Sequence, residues 1–437
     1  MNSTQPGSVG SWPLWQKILF RFFFIYFLLN IAPWEWLNRT LPGLNYVLQF
    51  YEKAMGWIIE FCNKTWFHFQ QTTIVNNGSG DTSESWKAIF TYLVIAVTGT
   101  VIWSIADKKR ASYHTANYWL RTFLRYFLIL NCMVYGISKL YALQMPFPNQ
   151  SQLATPLGDF LPMRLSWMFI GYSTPYQVFS GAMEVLAGLL LLNRKTITLG
   201  LFVGASVFIN VMVLNLCYDI PVKIFSIHLV IYCFYLLAND AKRLVDLLVW
   251  NRSVAANTIH QNSLSKKWMR ITRIVLKLAF IGLFVIVPFF STREFYNSFN
   301  KPVSTKPIEL GVYDVVVYAV NKDTLPALVS DTTRWRDMIF EKGGLGSVGS
   351  TDTSFRQRYR RGYFNLVTDT IRKTIGFKKT ASSEKMLFTF RYGLPDSNTI
   401  TLSGSRNRDS LYIVLKRSNR HFQLAEKQFH WISEANR

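Results

Sequence analysis

The chain has 437 residues, half of them hydrophobic, and a formal net charge of +23 at neutral pH. Most of its apolar residues fall before Ser291 in blocks of roughly twenty, the length that crosses ~30 Å of hydrocarbon, so a wholly soluble protein is excluded. The charge does not point to nucleic acid: the basic residues flank apolar blocks or lie in the C-terminal region, and there is no basic helix or nucleic-acid motif.

In chain order, the N-terminal "MNSTQPGSVGSWPLWQK" lacks a basic start, and the apolar run after it has no small-residue cleavage site. That run is therefore expected to stay as a first span. Candidate spans cover 14–34, 86–106, 122–143, 176–193, 197–216, 222–238 and 273–291. Each is expected to be helical, because helices satisfy their own backbone in lipid. The aromatic, amphipathic segment 47–69 is expected to lie along the interface rather than to span. The basic loops "DKKRASYHTANYWLR", "NRK" and 239–273 are assigned to the cytoplasm by the positive-inside rule. Alternation then gives a cytoplasmic N-terminus and puts 35–85, 144–175, 217–221 and everything after Thr292 outside a bacterial inner membrane. Cys62, Cys132, Cys217 and Cys233 form no CxxC motif; three of them lie in apolar segments and read there as small apolar residues.

After Thr292 the pattern changes. Segments 311–321, 385–392, 398–404, 409–417 and 421–432 are short β-branched and aromatic runs between turn residues, the signature of an antiparallel meander. "TRWRDMIFEK" suits one helix or another strand, and "GGLGSVGSTDTS" reads as a flexible loop. The expected fold is thus a polytopic α-helical membrane bundle with a C-terminal extracytoplasmic β-rich domain. Its segments are 1–85 (first span and interfacial segment), 86–248 (transmembrane core), 249–291 (cytoplasmic loop and last span) and 292–437 (periplasmic β-rich domain).

Ionisable residues inside spans are rare and mark functional candidates. Asn131, Tyr135 and Lys139 share one helix face at i, i+4, i+8 spacing. Glu184 is the single acid of its span and is flanked by Gly181 and Gly188, which let another helix approach closely. Asn210, Asn215 and Asp219 follow; Pro221 breaks the helix, and Lys223 and His228 enter the next. At ~1.5 Å per residue, Lys139, Glu184, Asp219, Lys223 and His228 can share a layer in the outer half of the membrane, where two acids and two bases can pair. Tyr135, Lys139, Glu184, Asn215, Asp219, Lys223 and His228 are therefore the ligand-binding candidates. Structural alternatives stand beside them: Lys139, Asp219 and Lys223 can snorkel to the interface, and the Asn residues can serve as interhelical hydrogen bonds. Asp219 before Pro221 can simply shape a turn, and His228 can be a satisfied buried histidine. In "NNGSGDTSESW", Asp81 or Thr82 is expected to cap the following helix. No metal site is expected.

The stretches "FLRYFLILNCMVYGISKL", "GYSTPYQVFSGAMEVLAGLLLLNRKTITLG" and "NVMVLNLCYDIPVKIFSIHLVIYCFYLLAND" resemble the four-helix core of the DoxX family, most of all its larger Bacteroidetes-type members. Arg125, Gly136 and Lys139 match the family's first core helix, and Glu184, Ala187 and Gly188 its second. The resemblance covers about 86–248. It implies a membrane protein of undefined activity, related by name to a subunit associated with a thiosulfate:quinone oxidoreductase. Two functions remain open. One is non-enzymatic binding of a lipid, quinone or envelope partner through the polar cluster, with a partner membrane or periplasmic subunit. The other is a quinone-linked membrane oxidoreductase subunit in which Glu184 and His228 relay protons and Lys223 holds an anionic intermediate. Against redox chemistry within the chain itself, the sequence has no dithiol motif, no histidine pair spaced for haem and no nucleotide fingerprint. A weaker third reading takes the layout as analogous to quinone-dependent carboxylases, with a desolvated Lys139 or Lys223 as base.

Overall fold

The computed structural model describes residues 11–31, 43–70, 79–255, 266–301, 307–328, 331, 334–406, 408–426, 430–432 and 434. It divides into two units, Met1–Met145 with Thr174–Tyr296, and Pro146–Ser173 with Asn297–Arg437.

The first unit is helical. Its elements are α1 (Leu14–Ile31), α2 (Leu44–Cys62), α3 (Ser83–Ala106) and α4 (His114–Leu140). The inserted segment carries α5 (Gln150–Leu153) and α6 (Pro162–Tyr172). The helical unit resumes with α7 (Thr174–Leu192), α8 (Ile197–Cys217), α9 (Lys223–Ala238), α10 (Ala241–Leu248) and α11 (Lys267–Phe299), which holds a π turn at Gly282–Ile286. Among the described residues, six helices are long and apolar enough to cross a membrane, or up to seven if α9 and α10, bent by 81° at their junction, count as one span. The expected spans at 14–34, 86–106, 122–143, 176–193, 197–216 and 273–291 fall on α1, α3, α4, α7, α8 and α11. The segment 47–69 falls on α2 and the π turn after it, Asn63–Phe67; Trp57 and Phe61 are exposed there while Met55, Ile59 and Cys62 are buried.

Small residues set the closest helix crossing. A Cβ on Gly181 would lie 2.7 Å from the Gly136 carbonyl and 2.7 Å from Cβ of Lys139; one on Gly136 would lie 3.0 Å from the Gly181 carbonyl. Only glycine at both positions lets the backbones of α4 and α7 meet. Gly188 extends the seam, with Cβ of Cys132 at 3.0 Å from its would-be Cβ. The core beneath is built from Leu124, Leu128, Ile129, Cys132, Ala187, Leu191, Phe208, Tyr232 and Cys233.

The second unit is an antiparallel β-barrel. Its strands are β1 (Gly311–Val320), β2 (Asp323–Thr324), β3 (Asp337–Phe340), β4 (Leu345–Val348), β5 (Arg356–Arg358), β6 (Arg361–Asp369), β7 (Thr374–Lys378), β8 (Met386–Asp396), β9 (Thr399–Arg406) and β10 (Asp409–Arg417). The order β1-β3-β4-β6-β7-β8-β9-β10 closes on itself through β1–β10 pairing, giving eight strands in the ring, with β2 and β5 as short flaps. Closure removes the free edges that an open meander would expose. A bulge between Val315 and Val317 sits in the closing pair. The barrel is filled: Trp335, Phe355, Phe364, Phe377 and Phe390 are each 2% exposed or less and pack ring against ring. Eight strands enclose just such a side-chain core.

The meander expectation is met for the strands it named up to Arg417. Of the two options for "TRWRDMIFEK", the strand is realised, as β3. Two expectations are corrected. "GGLGSV" carries β4, whose Gly346 lies against Phe364 where a larger residue would clash. Segment 421–432 continues not as a strand but as the short helix Gln423–Glu426, with 427–429 outside the described residues. The inserted segment also joins this unit. Ser151 N–H donates to Glu341 at 2.9 Å, Ser347 donates to the Ser151 hydroxyl at 2.7 Å, and Arg164 donates to the Tyr359 hydroxyl at 2.9 Å.

Candidate functional site

The geometry divides the sequence-derived candidates into three groups. The deepest is Lys139 with Glu184. The Lys139 ammonium donates to Glu184 Oε1, and the two side chains are only 7% and 2% exposed. They face each other because Gly136 and Gly181 bring α4 and α7 into backbone contact one turn before Lys139. The second carboxylate oxygen, Oε2 of Glu184, is buried without a hydrogen-bond partner. Tyr135 lies one turn before Lys139, half-buried, its ring 6.1 Å from Phe225 of α9. Asn215 of α8 is 3% exposed; its carbonyl accepts from Ile220 N–H at 2.9 Å, while its buried side-chain Nδ2 is also without a partner. Asn131, on the same stripe as Tyr135 and Lys139, donates to its own helix at the Phe127 carbonyl, 2.8 Å away.

The second group is His228 with Tyr26. Nδ1 of His228 lies 2.7 Å from the Ile224 carbonyl, which can only accept, so Nδ1 carries the proton. In the neutral ring, Nε2 then accepts from the Tyr26 hydroxyl, also at 2.7 Å. One turn on, Tyr232 donates to Asn30. These bonds tie α9 to α1, and both polar atoms of His228 are satisfied.

The third group lies at the turn between α8 and α9. Asp219, 81% exposed at its side chain, accepts from Lys223 at 2.6 Å. Its φ of 50° sits in the left-handed region, which Asp tolerates in a turn. Asp81 joins this group. Its two carboxylate oxygens accept the N–H groups of Lys223 (2.8 Å) and Ile224 (3.0 Å), capping α9 from a segment far away in the chain. Gly80 N–H adds a bond to the Pro221 carbonyl at 2.7 Å. The expected local cap is made by Thr82 alone, which accepts from Ser85 N–H at 3.2 Å. The pattern "GSGDT" and "DIPVK" are thus two halves of one connection, which spacing in the sequence could not reveal.

Two buried polar groups were missed by sequence reasoning, Gln177 without any distinctive signal. Gln177, fully buried, exchanges two hydrogen bonds with the Met145 backbone at 2.7 and 3.0 Å and pins the exit of α4 to α7. Arg21, 2% exposed, donates to the Tyr113 hydroxyl, Ser104 and the Asp107 carbonyl at 2.7–3.1 Å. An Arg inside an aromatic run was the available sign for the latter. Among the described residues, no group of three His, Cys, Asp or Glu is arranged to hold a metal ion.

Glu184 Oε2 is a buried acceptor and Asn215 Nδ2 a buried donor, both without a partner, so each can take up a further hydrogen bond.

No protein-family model matches the chain, and no solved structure matches it. A protein of Bacillus subtilis (strain 168), named "Uncharacterized protein YwoB", is 32% identical over 123 residues, which are 28% of this chain and 78% of that protein. Identity at that level across most of YwoB's length places the chain in the family of YwoB.

Proposed function

We propose that this chain is a DoxX-like integral membrane protein that binds the polar head of an amphiphile, a lipid or a quinone, beside the Lys139–Glu184 pair. The observation that carries the reading is the unpartnered Oε2 of Glu184, buried at a glycine-lined crossing. A buried acceptor without a donor costs about 1–3 kcal/mol, and a ligand hydroxyl or amide would recover it. The ion pair keeps the carboxylate in place and lowers the cost of burying it. The barrel unit serves as a docking module for an envelope partner outside the inner membrane. Its core is filled by aromatic side chains, so it contributes surface rather than a container.

The topology follows the basic loops, with a cytoplasmic N-terminus and the barrel outside. The folding of Pro146–Ser173 together with Asn297–Arg437 supports one part of this, that the two segments share a side. One folded unit lies on one side of a membrane, so the chain must cross an even number of times between them. That favours α7, α8, α9 and α11 all crossing, hence the higher of the two span counts.

The test is mass spectrometry of lipophilic molecules co-purifying with wild type, Glu184→Ala and Glu184→Gln. The expected result is one amphiphile class retained by wild type and depleted in both variants. Should that class be a quinone, the oxidoreductase-subunit reading leads. Identical retention by all three proteins would sink the binding site. Glu184→Gln keeps the shape and a hydrogen bond to Lys139, and so separates lost binding from lost folding.

A further inference from the structure

A second unusual environment lies at the other end of α4, where cations gather without acids. Arg125 is 7% exposed, and its buried Nε has no hydrogen-bond partner. Its guanidinium lies over the Tyr126 ring, 5.1 Å from the centroid. Arg194, from the connection between α7 and α8, lies close by, as do Lys277 and Arg273 of α11.

The fold forces this gathering. Phe280 is the one buried residue in the first half of α11, and it packs edge-on to Tyr126 with ring centroids 4.8 Å apart. Lys277 lies one turn before Phe280 on the same face, so anchoring Phe280 delivers Lys277 to Arg125. Arg194 is fixed by donating to the Tyr118 hydroxyl at 3.0 Å, two turns before Arg125 on α4. Asp240, in the turn after α9, is gripped by Arg243 at 2.5–3.0 Å. Among the described residues no carboxylate is within ion-pair distance of Arg125 or Lys277.

Cations that gather around a buried guanidinium repel one another and call for an anion. Arg supplies a planar fork suited to phosphate oxygens, and Lys a point charge beside it. The site opens on α11, whose surface is apolar and largely uncovered. Basic pockets between membrane helices hold the head groups of anionic lipids in this way.

We propose that Arg125, Arg194 and Lys277, with Arg273 at the rim, form a binding site for a phosphate group, carried by an anionic phospholipid or by a soluble phosphate. This site is separate from the Lys139–Glu184 pair and does not depend on it.

The experiment uses the full chain, delipidated in neutral detergent. Phosphatidylglycerol, phosphatidylcholine and inorganic phosphate are titrated in separate arms, read by native mass spectrometry and thermal unfolding. Phosphatidylglycerol is expected to bind in preference to phosphatidylcholine, and Lys277→Gln or Arg194→Gln to weaken it roughly fivefold each. Stabilisation by inorganic phosphate at low millimolar concentration, lost in the same variants, would assign the soluble source instead. Lys277 and Arg194 are half-exposed, so these variants keep the fold; Arg125→Gln is the third member of the series. Equal binding of both lipids with no effect of phosphate, or binding unchanged in all three variants, would overturn the site.

Discussion

The Lys139–Glu184 pair of the helical unit and the Arg361–Asp337 pair of the barrel are both buried, yet they differ in how completely they are satisfied. In the barrel, Arg361 donates to both Asp337 oxygens at 2.5 and 3.3 Å and to Ser347 at 3.1 Å. In the helical unit, Glu184 keeps one oxygen without a donor. The barrel core is a continuous set of aromatic rings around Trp335, driven together by burial from water. Helices in lipid gain little from burying apolar surface against one another, so their contact relies on close backbone approach and polar ties. The saturated pair in a well-driven core is a structural part, whereas the unsaturated pair at the glycine crossing is where the proposed ligand would bind.

Breaking each unit at its own support should expose this difference. Trp335→Ala removes the largest fully buried side chain of the barrel and is expected to cost about 3–5 kcal/mol, read by urea unfolding with barrel-specific near-ultraviolet dichroism. Glu184→Ala leaves Lys139 buried and unpaired, with a similar expected loss of about 3–5 kcal/mol in detergent-induced unfolding of the helical unit. The double replacement Lys139→Met with Glu184→Leu should recover most of that stability while abolishing amphiphile retention. A double variant that still retains the amphiphile would show that the pair is structural, as in the barrel.

Smaller effects sharpen the same contrast. Asp81→Ala removes the distant cap of α9 and is expected to cost about 0.5–2 kcal/mol, with faster amide exchange at Lys223 and Ile224 as its signature. In the barrel, Asn398 N–H donates to Asp396 at 2.7 Å and, with Thr399, holds that carboxyl below its ordinary range. A lowered folded pKa stabilises above the unfolded value of about 4 and loses that contribution as pH falls through the folded value. The β8–β9 hairpin should therefore show no pH response between 7 and 5 and a small loss of protection below about 4. Asp396→Asn should remove that acid dependence, which amide exchange at Asn398 would report.

The legible part of the fold was whatever rests on period and length. Spans such as 86–106 and 197–216 follow from unbroken apolar runs, and the strand at Gly311–Val320 from its β-branched pattern. Glu184 and Lys139 stood out as rare charges in apolar surroundings, and the flanking Gly181 carried the sign of a close crossing. The strands Leu345–Val348 and Arg361–Asp369 were harder to see, because glycine and arginine there look like loop and only pairing with neighbours gives them order. The layer expected to unite Lys139, Glu184, Asp219, Lys223 and His228 depended on depth alone, and depth does not determine which faces of the helices meet.

Composition and hydrophobic period thus determined that the chain joins a set of membrane-length helices to a β-rich C-terminal region, because both signals come from the cost of exposing each local segment to its surroundings. Tertiary structure decided the rest. It assigned Pro146–Ser173 to the barrel, sent Asp81 to cap α9, gave His228 to Tyr26 and left Glu184 alone with Lys139. Each of these contacts joins residues far apart in the chain, and such partners are chosen by packing, which no local pattern encodes.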